Sequence, residues 1–144
     1  MRSFACPHCA ALVFFANTAC LSCGTAIGYS RAERSLVRAD GRRRCANATI
    51  ADCNWLLDPA DPGDLCSCCA LTRTRPADGD LKALASFAAT EAAKRRLLHQ
   101  LDDLGLPVVD RAEDPSGGLA FDLLSSAEEP VLTGHASGVV TLDL

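Results

Sequence analysis

Near the start of the chain two C-x-x-C pairs, Cys6-Pro-His-Cys9 and Cys20-Leu-Ser-Cys23, are separated by ten residues. This spacing leaves few ways to fold. Each C-x-x-C sets two sulfurs on one tight turn, where backbone N–H groups can donate to thiolates. The intervening segment is long enough for a short hairpin, with Leu12–Phe15 as one strand. Four thiolates then surround one Zn²⁺ tetrahedrally. Gly24 suits the left-handed residue that follows such a turn, and Ala10, at the equivalent place, suits it less. A redox dithiol or an iron centre are the other chemistries this spacing serves. His8 sits inside the first pair and reads as exposed rather than as a ligand.

Five more cysteines follow, at 45, 53, 66, 68 and 69, making nine in 144 residues. An odd count would leave one over after disulfide pairing. The longest apolar run near the start, Ala10–Ala16, is far shorter than the roughly 20 residues of a membrane helix and precedes no cleavage site. A cytoplasmic chain with reduced thiols is therefore expected, and metal is preferred to disulfides. In the second set, adjacent Cys68 and Cys69 point different ways. The best four ligands are Cys45, Cys53, Cys66 and Cys69, with Cys68 left as an inert thiol. The alternative is a group of small buried apolar cysteines. Trp55 is expected to pack against this site.

Four cysteines leave no open coordination position, so neither centre would hold a catalytic water. Each would instead contribute folding free energy, on the order of 10 kcal/mol for an isolated zinc module. A chain with 5% aromatic residues needs such support for its core.

Composition separates three regions: 1–29 with the first two pairs, 30–76 with the other five cysteines, and 77–144 without cysteine. Residues 1–76 carry nine arginines against six acids; residues 77–144 carry five basic groups against twelve acids. Thiolates bound to zinc would cancel the basicity of the first part, so the charge is a weak sign of nucleic-acid binding. In the third region Asp80–Leu104 reads as a helix, capped by Asp80 and stopped by Gly105 and Pro107. Phe87, Leu97, Leu98, Leu101 and Leu104 would form its apolar face, interrupted by Thr90 and Lys94. Short strands are expected at Pro107–Asp110, Leu119–Leu124, Val131–Thr133 and Val139–Leu144, with Gly134–Gly138 as a hairpin loop. The fold class is α+β: a zinc ribbon and a second four-cysteine module, then one long helix on a small antiparallel sheet.

The chain contains no H-E-x-x-H, no G-x-S-x-G and no phosphate-binding glycine loop. No catalytic or cofactor-binding constellation is found besides the metal ligands. Arg42–Arg44 and Lys94–Arg96 read as solvated surface. His99 and His135 have no partner at metal spacing.

Taken in order, several stretches resemble one family, the bacterial zinc-binding metallopeptidases with an N-terminal zinc ribbon and a zincin-like domain. They are Phe4–Cys9, Cys20–Tyr29, Arg44–Asn47, Cys53–Leu56, Cys66–Cys69, Thr72–Thr74 with Pro76, Glu91–Leu97, Gly105–Pro107, Gly118–Asp122 and Val131–His135. The resemblance implies that Cys45, Cys53, Cys66 and Cys69 form a second zinc site. It also implies that 77–144 is the backing helix and sheet that precede an active-site helix, so the chain would stop before its H-E-x-x-H. Ala136 stands where the family tends to carry Asp, and Arg75 where it carries an apolar residue. The expectation is a zinc-binding, non-catalytic N-terminal portion with two structural zinc ions and a protein or peptide partner. The rival is a stand-alone zinc-ribbon module for nucleic acid or protein, motivated by Arg42–Arg44.

Overall fold

The computed structural model describes residues 3–126 and 130–144. The chain divides into two compact units, one ending at Ser67 and one running from Cys68 to Leu144.

In the first unit, β1 (Ser3–Ala5) and β2 (Leu12–Phe14) form an antiparallel hairpin. Alternation places Phe4 and Val13 inside, while Leu12 and Phe14 face out. A second antiparallel hairpin joins β3 (Ile27–Ser30) to β4 (Ser35–Arg38). Every residue of β3 is buried, because a further segment lies against it. Tyr29 bridges Trp55, and Arg44 bridges Leu56, so residues 53–56 run between β3 and the chain leading into Cys45. Gly28 permits this approach: a Cβ there would lie 2.8 Å from Asn54 O and 2.8 Å from Leu56 Cγ. Asn54 is buried, and its Nδ2 donates to Phe15 O at 2.5 Å.

The few aromatic residues concentrate in this unit. The Tyr29 ring lies 4.9 Å from Phe15, 5.1 Å from Trp55 and 6.4 Å from Phe4, centroid to centroid. These rings, with Ile27, Val13 and Leu36, form a compact core. Trp55 spends its apolar area on these rings.

In the second unit α1 spans Leu81–Asp103. Asp80 caps it by accepting from the Ala83 N–H at 2.9 Å, and Gly105 follows its end at φ +69°. The expected helix is therefore present, but its inner face differs from the expected one. Leu97 and Leu104 are exposed, whereas Glu91, Lys94 and Arg95 are buried beside Ala83, Phe87 and Leu98. Lys94 is thus not a solvated interruption. Its Nζ meets Glu91 Oε1 at 2.5 Å, donates to the Thr72 hydroxyl, and stands 5.1 Å from the Phe121 ring centroid. Such partners make a buried charge tolerable.

The strands of this unit are β5 (Thr72–Thr74), β6 (Ala120–Leu124), β7 (Gly134–Ala136) and β8 (Val139–Asp143), in the order β5-β6-β8-β7. The α+β class stands, but the sheet is mixed rather than antiparallel. β5 and β8 both run parallel to β6, and only β7 is antiparallel to its neighbour. The β7–β8 turn is tighter than expected, with Ser137 at φ +48° and Gly138 at φ +80°, as a two-residue hairpin turn requires. Strand β7 therefore occupies Gly134–Ala136, and Val131–Thr133 forms no strand. The Pro107–Asp110 segment contributes one bridge, Asp110 to Leu119. No helix among the described residues is long and apolar enough to cross a membrane.

Candidate metal centres

The sulfurs of Cys6, Cys9, Cys20 and Cys23 lie within 4.8 Å of one another. Two equivalent turns bring them together. In the first, Cys6 N–H donates to Ala11 O at 2.8 Å, and Ala10 N–H to Cys6 O at 3.0 Å. In the second, Cys20 N–H donates to Thr25 O at 2.9 Å, and Gly24 N–H to Cys20 O at 2.8 Å. Ala10 and Gly24 take the same left-handed conformation, φ +61° and +71°. The His8 N–H points at Cys6 Sγ from 3.4 Å, while the His8 side chain is exposed.

Across the two turns, Cys6 and Cys23 are 3.8 Å apart and Cys9 and Cys20 are 3.7 Å apart, sulfur to sulfur. A tetrahedron with metal–sulfur bonds of about 2.3 Å has edges of about 3.8 Å, so the cage has the size of a Zn²⁺ thiolate site. The Thr25 hydroxyl, 3.2 Å from Cys23 Sγ, and then the Thr25 N–H hold the Cys23 thiol down at about 6. Backbone N–H groups of Cys9 and His8 lower Cys6 as well. The Ala11 N–H favours the Cys9 thiolate, yet hydrogen bonding to Cys23 and Cys20 leaves the Cys9 thiol at about 12. Four thiolates this close repel one another, and the positive charge that Zn²⁺ would supply when bound offsets that repulsion.

The sulfurs of Cys45, Cys53, Cys66 and Cys69 also lie within 4.8 Å of one another, and all four residues are buried. Their positions come from scattered pieces. The Arg44–Leu56 bridge sets Cys45 and Cys53 on neighbouring segments. Cys53 and Cys66 are 3.8 Å apart, again a tetrahedral edge, and the Cys66 N–H donates to Cys45 Sγ at 3.4 Å. Cys69 completes the C-x-x-C that Cys66 begins. Cys68 is fully buried and belongs to neither group.

One residue of this surrounding was not read from the sequence as near the metal. Glu91, on α1, is completely buried, with Oε2 3.5 Å from Cys69 Sγ. Its Oε1 accepts from the Thr72 hydroxyl at 2.6 Å and from Lys94. The spacing of Glu91 and Lys94, three residues apart on a helix, was the available signal.

Among the described residues, the other candidates belong to neither four-cysteine group. Arg42 pairs with Glu33 at 2.6 Å, Arg43 lies 3.6 Å from Asp64, and Arg38 pairs with Asp40 at 3.0 Å. Acids therefore interleave the arginines on this surface. His135 is exposed on β7, and His99 Nε2 lies 3.5 Å from Asp103.

This donor set and these knuckles define a zinc-ribbon protein, and the comparisons agree. Residues 3–80 match the profile of a zinc-ribbon domain family, to which the chain belongs. Residues 83–144 match the family described as "Putative zinc-binding metallo-peptidase". The two four-cysteine groups and the ribbon match support two structural zinc ions. Similar proteins include uncharacterized proteins from Mycobacterium bovis and Mycobacterium tuberculosis, each 52% identical over 147 residues. The matches cover all of this chain and 43% of those relatives, so the chain spans less than half of their length. No solved structure matches it significantly.

Proposed function

We propose that this chain is the zinc-holding, non-catalytic N-terminal portion of a zincin-like zinc metallopeptidase. Cys6, Cys9, Cys20 and Cys23 hold one structural zinc, and Cys45, Cys53, Cys66 and Cys69 hold the other. The supporting observation is the pairing of two closed four-thiol cages with a metallopeptidase-family match over residues 83–144. Closed cages offer no coordination position for water, and the sequence has no H-E-x-x-H. Hydrolysis would then belong to residues beyond those described, in keeping with the 43% coverage of the relatives. The ribbon would present a protein or peptide partner to that machinery, in the cytoplasm, where thiols remain available for zinc.

Metal analysis and a peptidase assay on the purified chain test this reading together. Two zinc ions per chain and no peptide hydrolysis are expected. One zinc ion or none would remove a centre. Hydrolysis by the purified chain, abolished by a chelator, would overturn the non-catalytic assignment. The nucleic-acid alternative would need a salt-dependent affinity lost on replacing Arg42, Arg43 and Arg44 by Ala.

A further inference from the structure

The two centres differ in who can reach their sulfurs. In the first, Cys9 and Cys23 are exposed, while Cys6 and Cys20 retain 4% and 2% of their surface. The residues around the two exposed sulfurs, Pro7 to Ala10 and Leu21 to Gly24, are exposed as well. In the second, Cys45, Cys53, Cys66 and Cys69 retain at most 3%. Each exposed sulfur of the first centre also has a buried sulfur from the other turn within reach, Cys20 at 3.7 Å from Cys9 and Cys6 at 3.8 Å from Cys23.

We propose that the ribbon centre is a peroxide-sensitive zinc-release switch, and that the second centre keeps its metal under the same conditions. This inference rests on both groups holding zinc. Thiolate exposure governs oxidation, and zinc leaves when its donors become disulfides. The exposed thiolate of Cys9 or Cys23 attacks one oxygen of hydrogen peroxide. The O–O bond breaks, the departing hydroxide takes a proton and leaves as water, and the sulfur becomes a sulfenic acid. A neighbouring thiolate of the cage then attacks that sulfur. The S–S bond forms, and the expelled hydroxide leaves as a second water after taking another proton. Two thiolates, one peroxide and two protons become one disulfide and two waters. The zinc has then lost two of its four donors. Closing the sulfurs from 3.7 Å to bonding distance asks only for a small movement of exposed turns.

The sequence makes the test clean. All four ribbon cysteines fall in one tryptic peptide, residues 3–31, and all five others in another, residues 45–73. The zinc-loaded chain is treated with graded hydrogen peroxide while a metallochromic chelator reports released zinc. Alkylation and mass mapping then locate the oxidised thiols. Release of one zinc per chain is expected, at least about 10-fold faster than the second, accompanied by disulfide in peptide 3–31 only. Dithiothreitol with added zinc should restore the original thiol count and metal content. Oxidation of peptide 45–73 at the same rate or first, ribbon disulfide without zinc release, or products that dithiothreitol does not reverse would each overturn the switch. If the untreated chain holds fewer than two zinc ions, it is the assignment of the centres that fails.

Discussion

The two metal centres use the same donors and reach them by opposite routes. The ribbon centre is two copies of one local device, a C-x-x-C turn closed by a left-handed residue, with half of its sulfurs exposed. The second centre is assembled from the chain around Cys45, around Cys53 and at the Cys66–Cys69 turn, and all its sulfurs are buried. A local device can lose its metal and leave its surroundings intact. A buried, scattered one cannot, because its metal ties together segments that lie far apart in the sequence. Metal in the second centre should therefore carry more of the folding free energy.

Removing one ligand from each centre is the largest test of that difference. Cys66→Ser should lose one zinc and melt the segment 45–69, at a cost on the order of several kcal/mol. Zinc stoichiometry and fluorescence of Trp55, the single tryptophan, read this out. Cys9→Ser should also lose one zinc while keeping the second and leaving the Trp55 signal closer to native. Equal loss of the Trp55 signal in both variants would erase the distinction.

The next largest effect concerns the helix beside Cys69. Glu91→Ala leaves the buried Lys94 ammonium without its carboxylate, at a cost of about 3–5 kcal/mol. Glu91→Leu combined with Lys94→Met removes both charges and should recover much of that loss. Urea unfolding of the zinc-loaded proteins checks both. A single variant no less stable than the double would mean that the pair contributes no such constraint.

What the sequence made legible follows the same division. The ribbon was readable because everything it needs lies within four residues of each knuckle, down to the strained position of Ala10. The second set was readable only as the best four of five cysteines. Nothing near Cys45 announces that Arg44 will bridge Leu56, or that Glu91 will stand beside Cys69. The helix boundaries came from Asp80 and Gly105, which act locally, but its inner face did not. Apolar periodicity counts Lys94 as an interruption unless its partners, Thr72 and Phe121, are known to face it. The sheet failed for a related reason. Alternation marks a strand without marking direction, and the parallel pairing of β6 with β8 depends on how the intervening chain returns.

A third test probes the frame of the second centre without touching a ligand. Gly28→Ala would drive a Cβ against Asn54 O and Leu56, displacing the segment that carries Cys53. Backbone and a packed side chain must give way, at a cost of about 1–3 kcal/mol. Thermal unfolding should show the loss. Chelator competition should show faster zinc release from the second centre with the ribbon rate unchanged. A change confined to the ribbon zinc would mean that residues 53–56 do not transmit the strain.

The smallest effect tests whether the two knuckles are equivalent. Ala10 and Gly24 occupy the same place, at φ +61° and +71°, yet only one of them is a glycine. An L-residue in that conformation costs about 1 kcal/mol, because Cβ crowds the following carbonyl. Nothing lies within 4 Å of a Cβ built at Gly24, so Gly24→Ala should incur that backbone cost and no packing cost. Ala10→Gly removes the same strain but frees the unfolded chain, so its gain should be smaller, about a few tenths of a kcal/mol. The two substitutions should therefore move ribbon-zinc dissociation in opposite directions, slower for Ala10→Gly and faster for Gly24→Ala. The second centre should be blind to both. A loss of several kcal/mol at Gly24 would show that its turn carries more than a left-handed corner, and the symmetry of the ribbon would be backbone geometry alone.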